Sequence, residues 1–436
     1  MKKTLYFTTI LFAFIIYDAR PAANPFLVDL ARTFSRDIFE MNGVPYMEPV
    51  VQVMNAVSNS RFFNSAYIPK YAEKPYFKFS INGMMGFVPE SKKWYSPQMP
   101  NEQLTYEGFA KGNYGTIGYD IATQKFKINI ADTAELIYFM FKGMIYDGIQ
   151  NKSLQVPAKA ATALGNNQAV FPLPDSVLKD LFKNLSVDFN GYKLKFYDYL
   201  PPELRDSVEK LLVQFPDAFT LPPGSDLSTL FAAVPQLEIG SLYGTELLLR
   251  FIPPVNMGET VGDFAFWGIG LKHNVSQYFN RSEKPEGRVF DLALQVVYQG
   301  TSLENKVGVT GADLKANATM WDLNIHASKS FIDIVDLYTG FSVEFIDIST
   351  EYNYFLTMEL QIQLGLRQVN PQTGEIYPVS PEFPGDNSPQ KAELSLKDTN
   401  YKWIIGASKQ IGNFAIHADF SMSKINMATL GIEYKF

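Results

Sequence analysis

The chain has 436 residues, 46% hydrophobic, 14% aromatic and 19% charged, with a formal net charge of −7 and no cysteine. Its length allows two or three soluble domains or one large β architecture. The missing cysteines exclude disulfide scaffolds, thiol nucleophiles and thiolate metal sites. The acidic balance argues against a nucleic-acid partner, and the apolar content argues against disorder.

The chain opens with Lys2 and Lys3, an apolar run from Leu5 to Tyr17 and the small-residue stretch Ala19–Ala23. A basic start, a short apolar run and small residues describe a secretory signal peptide over residues 1–23, cleaved near Ala19–Ala23. No later segment is long and apolar enough to predict a membrane-spanning helix, which needs roughly 20 residues. An exported soluble protein or a β-barrel therefore remains.

Residues 24–72 read as helix and loop. Leu27, Leu30, Phe34 and Ile38 recur at intervals of three and four, and a second piece runs through Val50, Val53, Met54 and Val57. Residues 73–130 hold the first strands and a loop; Phe77, Phe79 and Ile81 alternate with Lys78, Ser80 and Asn82. The helical period returns over 131–233. Pieces are expected at Leu136–Tyr146, Asp175–Leu185, Glu203–Phe215 and Asp226–Val234, several of them introduced by proline. Phe139, Met140, Phe141 and Met144 either pack as the core of that insertion or line an apolar ligand channel.

Residues 234–436 change to a period of two. The longest alternation covers 355–367, where Leu356, Met358, Leu360, Ile362, Leu364 and Leu366 oppose Thr357, Glu359, Gln361, Gln363 and Arg367. Shorter alternations run through Trp267–Leu271, Phe290–Tyr298, Trp321–Ala327, Phe341–Phe345 and Phe414–Met422. Strands of about 10 residues match what a tilted strand needs to cross a bilayer. The tight turn at Gly412-Asn413 against the long polar stretch 368–391 gives short turns on one side and long loops on the other.

The last residues, Leu430, Ile432, Tyr434 and Phe436, alternate up to an aromatic terminus. This resembles the terminal strand of Gram-negative outer-membrane proteins, which implies recognition by the barrel assembly machinery and a lipid-facing surface. The fold expected is an all-β transmembrane barrel of about 12–14 antiparallel strands in the outer membrane, with an N-terminal helical plug and a helical insertion. A helical stretch ahead of a barrel is also similar to the FadL-like long-chain fatty-acid transporter superfamily. There an N-terminal hatch carries Asn-Pro-Ala, and Asn24-Pro25-Phe26 matches its first two places. The segments Gly244–Pro253 and Gly268–Ser276 resemble an uncharacterised family of outer-membrane barrels.

Side chains in the polar phase of these strands would face the lumen: Glu246, Arg250, Lys272, Asn274, His326, Glu344, Glu359, Arg367, His417 and Asp419. They form either a solute-selecting eyelet or cross-strand ion pairs in a filled interior; mixed signs favour pairing. Ser328 near His326 and Ser421 near His417 are the only arrangement suggesting a barrel hydrolase, and no catalytic residue is assigned. No phosphate loop, EF-hand spacing or His-Glu-x-x-His element occurs, so no cofactor or metal site is expected. The leading expectation is passage or uptake of small hydrophobic or amphipathic compounds. The alternative is a non-transporting barrel serving as scaffold, surface receptor or secretion-associated partner.

Overall fold

The computed structural model describes residues 23–436 except 113, 121, 123, 124, 190, 257–261, 281–286, 308–311, 332, 333 and 371. The expected signal peptide lies outside the described residues, apart from Ala23. Ten strands form one closed antiparallel barrel. They are β1 (Tyr71–Phe87), β2 (Thr229–Leu242), β3 (Thr245–Asn256), β4 (Asp263–Asn274), β5 (Asp291–Val307), β6 (Ala312–Phe331), β7 (Val335–Tyr354), β8 (Gln390–Ile411), β9 (Phe414–Met422) and β10 (Asn426–Lys435). Each pairs with its neighbour in sequence, and β1 closes the ring by pairing with β10 from Lys78↔Lys435 to Phe87↔Asn426.

Ten staves replace the expected 12–14 because the central strands are about twice as long as the alternations suggested: β6 and β7 have 20 residues each and β8 has 22. Residues 355–367 also form no stave. Their centre is the helix Met358–Gln363, capped by the Thr357 hydroxyl on the Leu360 N–H. Leu356, Leu360 and Leu364 are buried together. Residues four apart share a helix face, so one apolar set satisfies both periods, and contact with a second apolar body decided between them. Glu359 is consequently exposed outside the barrel, and Arg367 donates to the Tyr377 carbonyl at 3.2 Å rather than facing the lumen. The helix expected at Asp226–Val234 is likewise absent, since β2 starts at Thr229.

Along the long strands the two faces exchange character. On β6, Trp321, Leu323 and Ile325 point outward while Asp322, Asn324 and His326 are buried inside. Further along, the outward residues Lys315, Asn317 and Thr319 are polar, and Ala318 and Met320 are buried inside. Strands β7 and β8 repeat this. Phe341, Phe345 and Trp403 lie outside at the first level, while Asp347, Ser349, Glu393 and Lys397 lie outside at the second. Outward ion pairs such as Lys397–Asp347 at 2.7 Å occur only at that second level among these strands. One segment of the barrel is thus apolar outside and polar inside. The other has the reverse pattern of a water-soluble barrel.

Aromatic rings edge the apolar belt. Trp267 meets Tyr298 at 5.3 Å and Tyr298 meets Trp321 at 4.4 Å on one margin. Phe414 meets Tyr434 at 4.9 Å and Phe77 meets Phe436 at 5.7 Å on the other. Two tight turns lie at that second margin: Tyr243-Gly244, both with positive φ, joins β2 to β3, and Gly412-Asn413 joins β8 to β9, while the longer connection 275–290 leaves β4 beside the first of them. The opposite margin carries the long connections 88–228 and 355–389.

One helix, α1 (Pro25–Ser58), replaces the two expected N-terminal pieces, with Pro45 and Pro49 inside it. Its first half, including Leu27, Leu30, Phe34 and Ile38, packs into the largest apolar cluster, shared with 88–228 and Leu356–Leu366. Its second half places Val51, Val53 and Ala56 against Met320, Ile346, Ile348 and Leu396 of the soluble-like segment.

The connection 88–228 is mixed α/β. It holds α2 (Tyr106–Lys111), α3 (Thr133–Gln150), α4 (Asp175–Asn184), α5 (Phe196–Tyr199), α6 (Pro202–Gln214) and four short strand pairings. The helix Met358–Gln363 follows as α7. The part of 73–130 that follows β1 belongs to this connection, including the pairing of Gly115–Asp120 with Lys125–Ile130. Phe139, Met140, Phe141 and Met144 are core residues of the largest cluster. No helix among the described residues is long and apolar enough to cross a membrane.

Candidate functional site

The candidate site is the lumen at belt level, crossed by residues 58–69. A helix leaves its last four carbonyls without internal partners and concentrates partial negative charge there. In α1 each of the four has a donor. The Asn59 N–H reaches the Asn55 carbonyl at 3.2 Å, and the Ser60 N–H reaches Val57 at 3.1 Å. Lys402 of β8 donates to the Ala56 carbonyl at 3.0 Å. Arg250 of β3 donates to the Ser58 carbonyl at 2.9 Å.

The same two cations continue along the chain. Arg250 reaches the Ser60 carbonyl at 2.6 Å and Lys402 the Asn59 carbonyl at 3.0 Å. The Arg250 guanidinium also lies 4.1 Å from the Phe62 ring centroid. Gln299 of β5 adds bonds to the Ser58 carbonyl at 3.1 Å and the Asn59 side chain at 2.8 Å.

Arg61 adopts a positive φ of 61°, a conformation costing a non-glycine residue about 1–2 kcal/mol. Its guanidinium is held by Asp419 at 2.8 Å, the Phe63 carbonyl at 2.8 Å and the Tyr338 hydroxyl at 3.1 Å. Phe63 packs 5.1 Å from the His326 ring, opposite Gly340, where any Cβ would collide with it. Beyond it the Ala66 N–H donates to Ser328 Oγ at 2.8 Å, and Asn274 donates to the Ile68 carbonyl at 3.5 Å. The segment thus meets wall residues at successive levels from Ala56 to Ile68.

Several of the wall charges are paired with one another, although Arg250 is held by uncharged partners. Glu246 accepts from Lys78 and from the Tyr76 hydroxyl at 2.5 Å each and forms an ion pair with Lys272 at 2.5 Å. Glu238 lies 3.4 Å from Lys78 and 3.9 Å from Lys272, and binds Asn64 at 3.0 Å. Glu344 pairs with Lys402 and accepts from Asn400 at 2.7 Å. His417 Nε2 sits 3.6 Å from Glu433. Of the expected lumen-facing residues, Glu246, Arg250, Lys272, Asn274, His326, Glu344, His417 and Asp419 are all buried inside the barrel. Glu359 and Arg367 are not, for the reason given above.

Lys402, Arg61, Lys78, Glu238 and Gln299 complete the arrangement. Lys402 was legible in principle, because it shares the inward phase of β8 with Asn400 and Ile404. Arg61 carried no periodic signal. No serine–histidine hydrogen bond occurs among the described residues: Ser328 Oγ serves Ala66, and His326 Nδ1 contacts Asn324 at 3.2 Å. No group of metal-ligating side chains occurs among them either.

A closed antiparallel barrel with an apolar outer belt, aromatic margins and a polar interior is the architecture of outer-membrane-type β-barrels. Within that class, the chain belongs to the family of unknown function DUF6588, whose model matches residues 1–436. No curated protein matches it. Among solved structures it is similar to Ail, the attachment invasion locus protein of Yersinia pestis, at 10% identity over 44% of this chain and 96% of that one, with a TM-score of 0.21. A mutant porin of Rh. blastica matches at 11% identity over 49% and 94% of the two chains, TM-score 0.12. OccK1 (OpdK) of Pseudomonas aeruginosa matches at 8% identity over 85% and 99%, TM-score 0.11.

Proposed function

We propose that this protein is an outer-membrane barrel of a Gram-negative bacterium whose lumen is closed by its own N-terminal segment. Its working surface is then the end carrying 88–228, 355–389 and the first half of α1. It is a non-enzymatic surface receptor or scaffold. The apolar belt supports membrane insertion, because outward leucines, isoleucines and tryptophans gain most from lipid. The end with the Tyr243-Gly244 and Gly412-Asn413 turns and the C-terminal strand end would face the periplasm, and the much longer connections 88–228 and 355–389 the outside.

The observation carrying the closed reading is the donation by Arg250 and Lys402 to the α1 carbonyls. Two buried cations whose remaining partners are backbone and wall groups leave no free charged eyelet for a solute. Liposome swelling with the full chain tests this. No flux of sugars or amino acids is expected beyond that of empty vesicles, and steady flux overturns it.

The competing reading is uptake of hydrophobic or amphipathic compounds, as the FadL-like resemblance implies. One observation favours it. At belt level the segment meets the wall through hydrogen bonds that water can replace, not through dry packing alone. Passage then requires residues 58–69 to move, and flux would appear in the same assay only with an opening signal or the transported compound present.

A further inference from the structure

At the rim, between α1, the short strand ending at Thr220 and the end of β7, lies a cavity of about 120 Å³. One wall is a trio of stacked rings: Phe39 lies 5.2 Å from Tyr352 and 5.3 Å from Tyr354, and the two tyrosines lie 5.4 Å apart. Phe219, Leu221, Tyr46 and Tyr95 also line it. The polar groups around it are mostly satisfied. Tyr46 donates to the Pro223 carbonyl at 2.9 Å, and Asn42 bonds to Ile38 and Gln98. The Tyr354 hydroxyl is the exception: Tyr354 is 7% exposed, and its oxygen is buried without a hydrogen-bond partner.

We propose that this cavity is a binding site for a small, uncharged, single-ring aromatic compound bearing one hydrogen-bonding group, which meets the Tyr354 hydroxyl. The volume of about 120 Å³ is on the scale of the apolar cavity of about 150 Å³ that takes benzene, so it has room for one ring at most. The stacked trio offers ring faces and edges for offset or edge-to-face contact. A buried hydroxyl left unpaired is costly, and the cost is recovered when a ligand supplies the partner. An aliphatic chain would fill the volume and leave that hydroxyl unpaired. The side chains lining the cavity are uncharged, so a charged ligand would make no ion pair with them.

The site goes beyond the closed-barrel reading and does not depend on it, because the cavity lies outside the lumen segment that decides conduction. Calorimetric titration of the full chain in lipid nanodiscs, against empty nanodiscs, tests it with p-cresol and toluene. Saturable one-to-one binding of p-cresol is expected, about 5–10-fold tighter than toluene, the yield of one hydrogen bond to a buried group. Tyr354→Phe keeps the ring stack and should bring p-cresol to the toluene level while leaving toluene unchanged. Absence of saturable p-cresol heat overturns the proposal, as does an undiminished p-cresol preference in Tyr354→Phe.

Discussion

Single side chains carry the contact between wall and lumen segment, and they do so as buried charges. Lys402 and Glu344 are both fully buried, so removing one alone strands the other. A buried charge deprived of its partner costs about 3–5 kcal/mol. Lys402→Met should therefore lower stability by at least that amount in urea unfolding from lipid vesicles, and Lys402→Met with Glu344→Gln should regain only the part due to the stranded carboxylate, since the Ala56 and Asn59 carbonyls stay without their donor. An unchanged midpoint in the single variant would show the pair to be solvated.

At the rim, Tyr138 of α3 donates its hydroxyl to Asp37 of α1. Burial, then that bond, push its pKa well above the ordinary value. The unfolded chain releases this proton near pH 10 while the folded one retains it. The stabilisation is thus present below pH 10 and declines as pH rises beyond it. Melting of the full chain between pH 8 and 11 should show this decline, and Tyr138→Phe should make it shallower.

At the scale of elements, the two leucine-rich alternations had opposite fates. Leu323 of β6 points out of the belt, whereas Leu360 of α7 sits in the apolar cluster with α1 and 88–228. Leu360→Ala should cost about 2–5 kcal/mol through the cavity it leaves. Leu323→Ala, on the exposed outer face of the belt where it leaves no enclosed cavity, should cost less than half as much; equal losses would place both in one environment. The outward phase of β4, β6, β7 and β9 was legible because each has one apolar and one polar face. The identity of 355–367 was not, since Leu356, Leu360 and Leu364 satisfy a strand and a helix alike and only the partner surface decides.

The length of β6 to β8 was equally hidden. Their apolar phase switches from outward to inward beyond Trp321 and Phe345, so the alternation breaks where the backbone does not. In the candidate site, the wall residues could be read from phase. Asn59, Ser60 and Arg61 could not, because an irregular segment inside a barrel takes its conformation from the wall and carries no period of its own.

For the whole molecule, the order of contacts along the chain gives a direction. The first half of α1 packs with 88–228, Ala56 to Phe63 meet Lys402, Arg250 and His326, and Ala66 and Ile68 meet Ser328 and Asn274. The start of α1 and the C-terminal Phe436 are therefore at opposite ends of the barrel. Protease treatment of intact cells should cleave within 88–228 while leaving the Gly412-Asn413 turn intact; the reverse pattern would invert the orientation.

The central claim is that residues 58–63 occupy the belt-level lumen. The chain has no cysteine, so an introduced pair reports without background. Asn59→Cys with Gln299→Cys replaces side chains that touch at 2.8 Å. In native outer membranes this pair should be joined by a short bifunctional thiol cross-linker that spans the lost side-chain length, whereas Asn59→Cys with the outward Leu323→Cys should not. Failure of the first pair to cross-link in the folded barrel, or cross-linking of both pairs alike, would contradict the account.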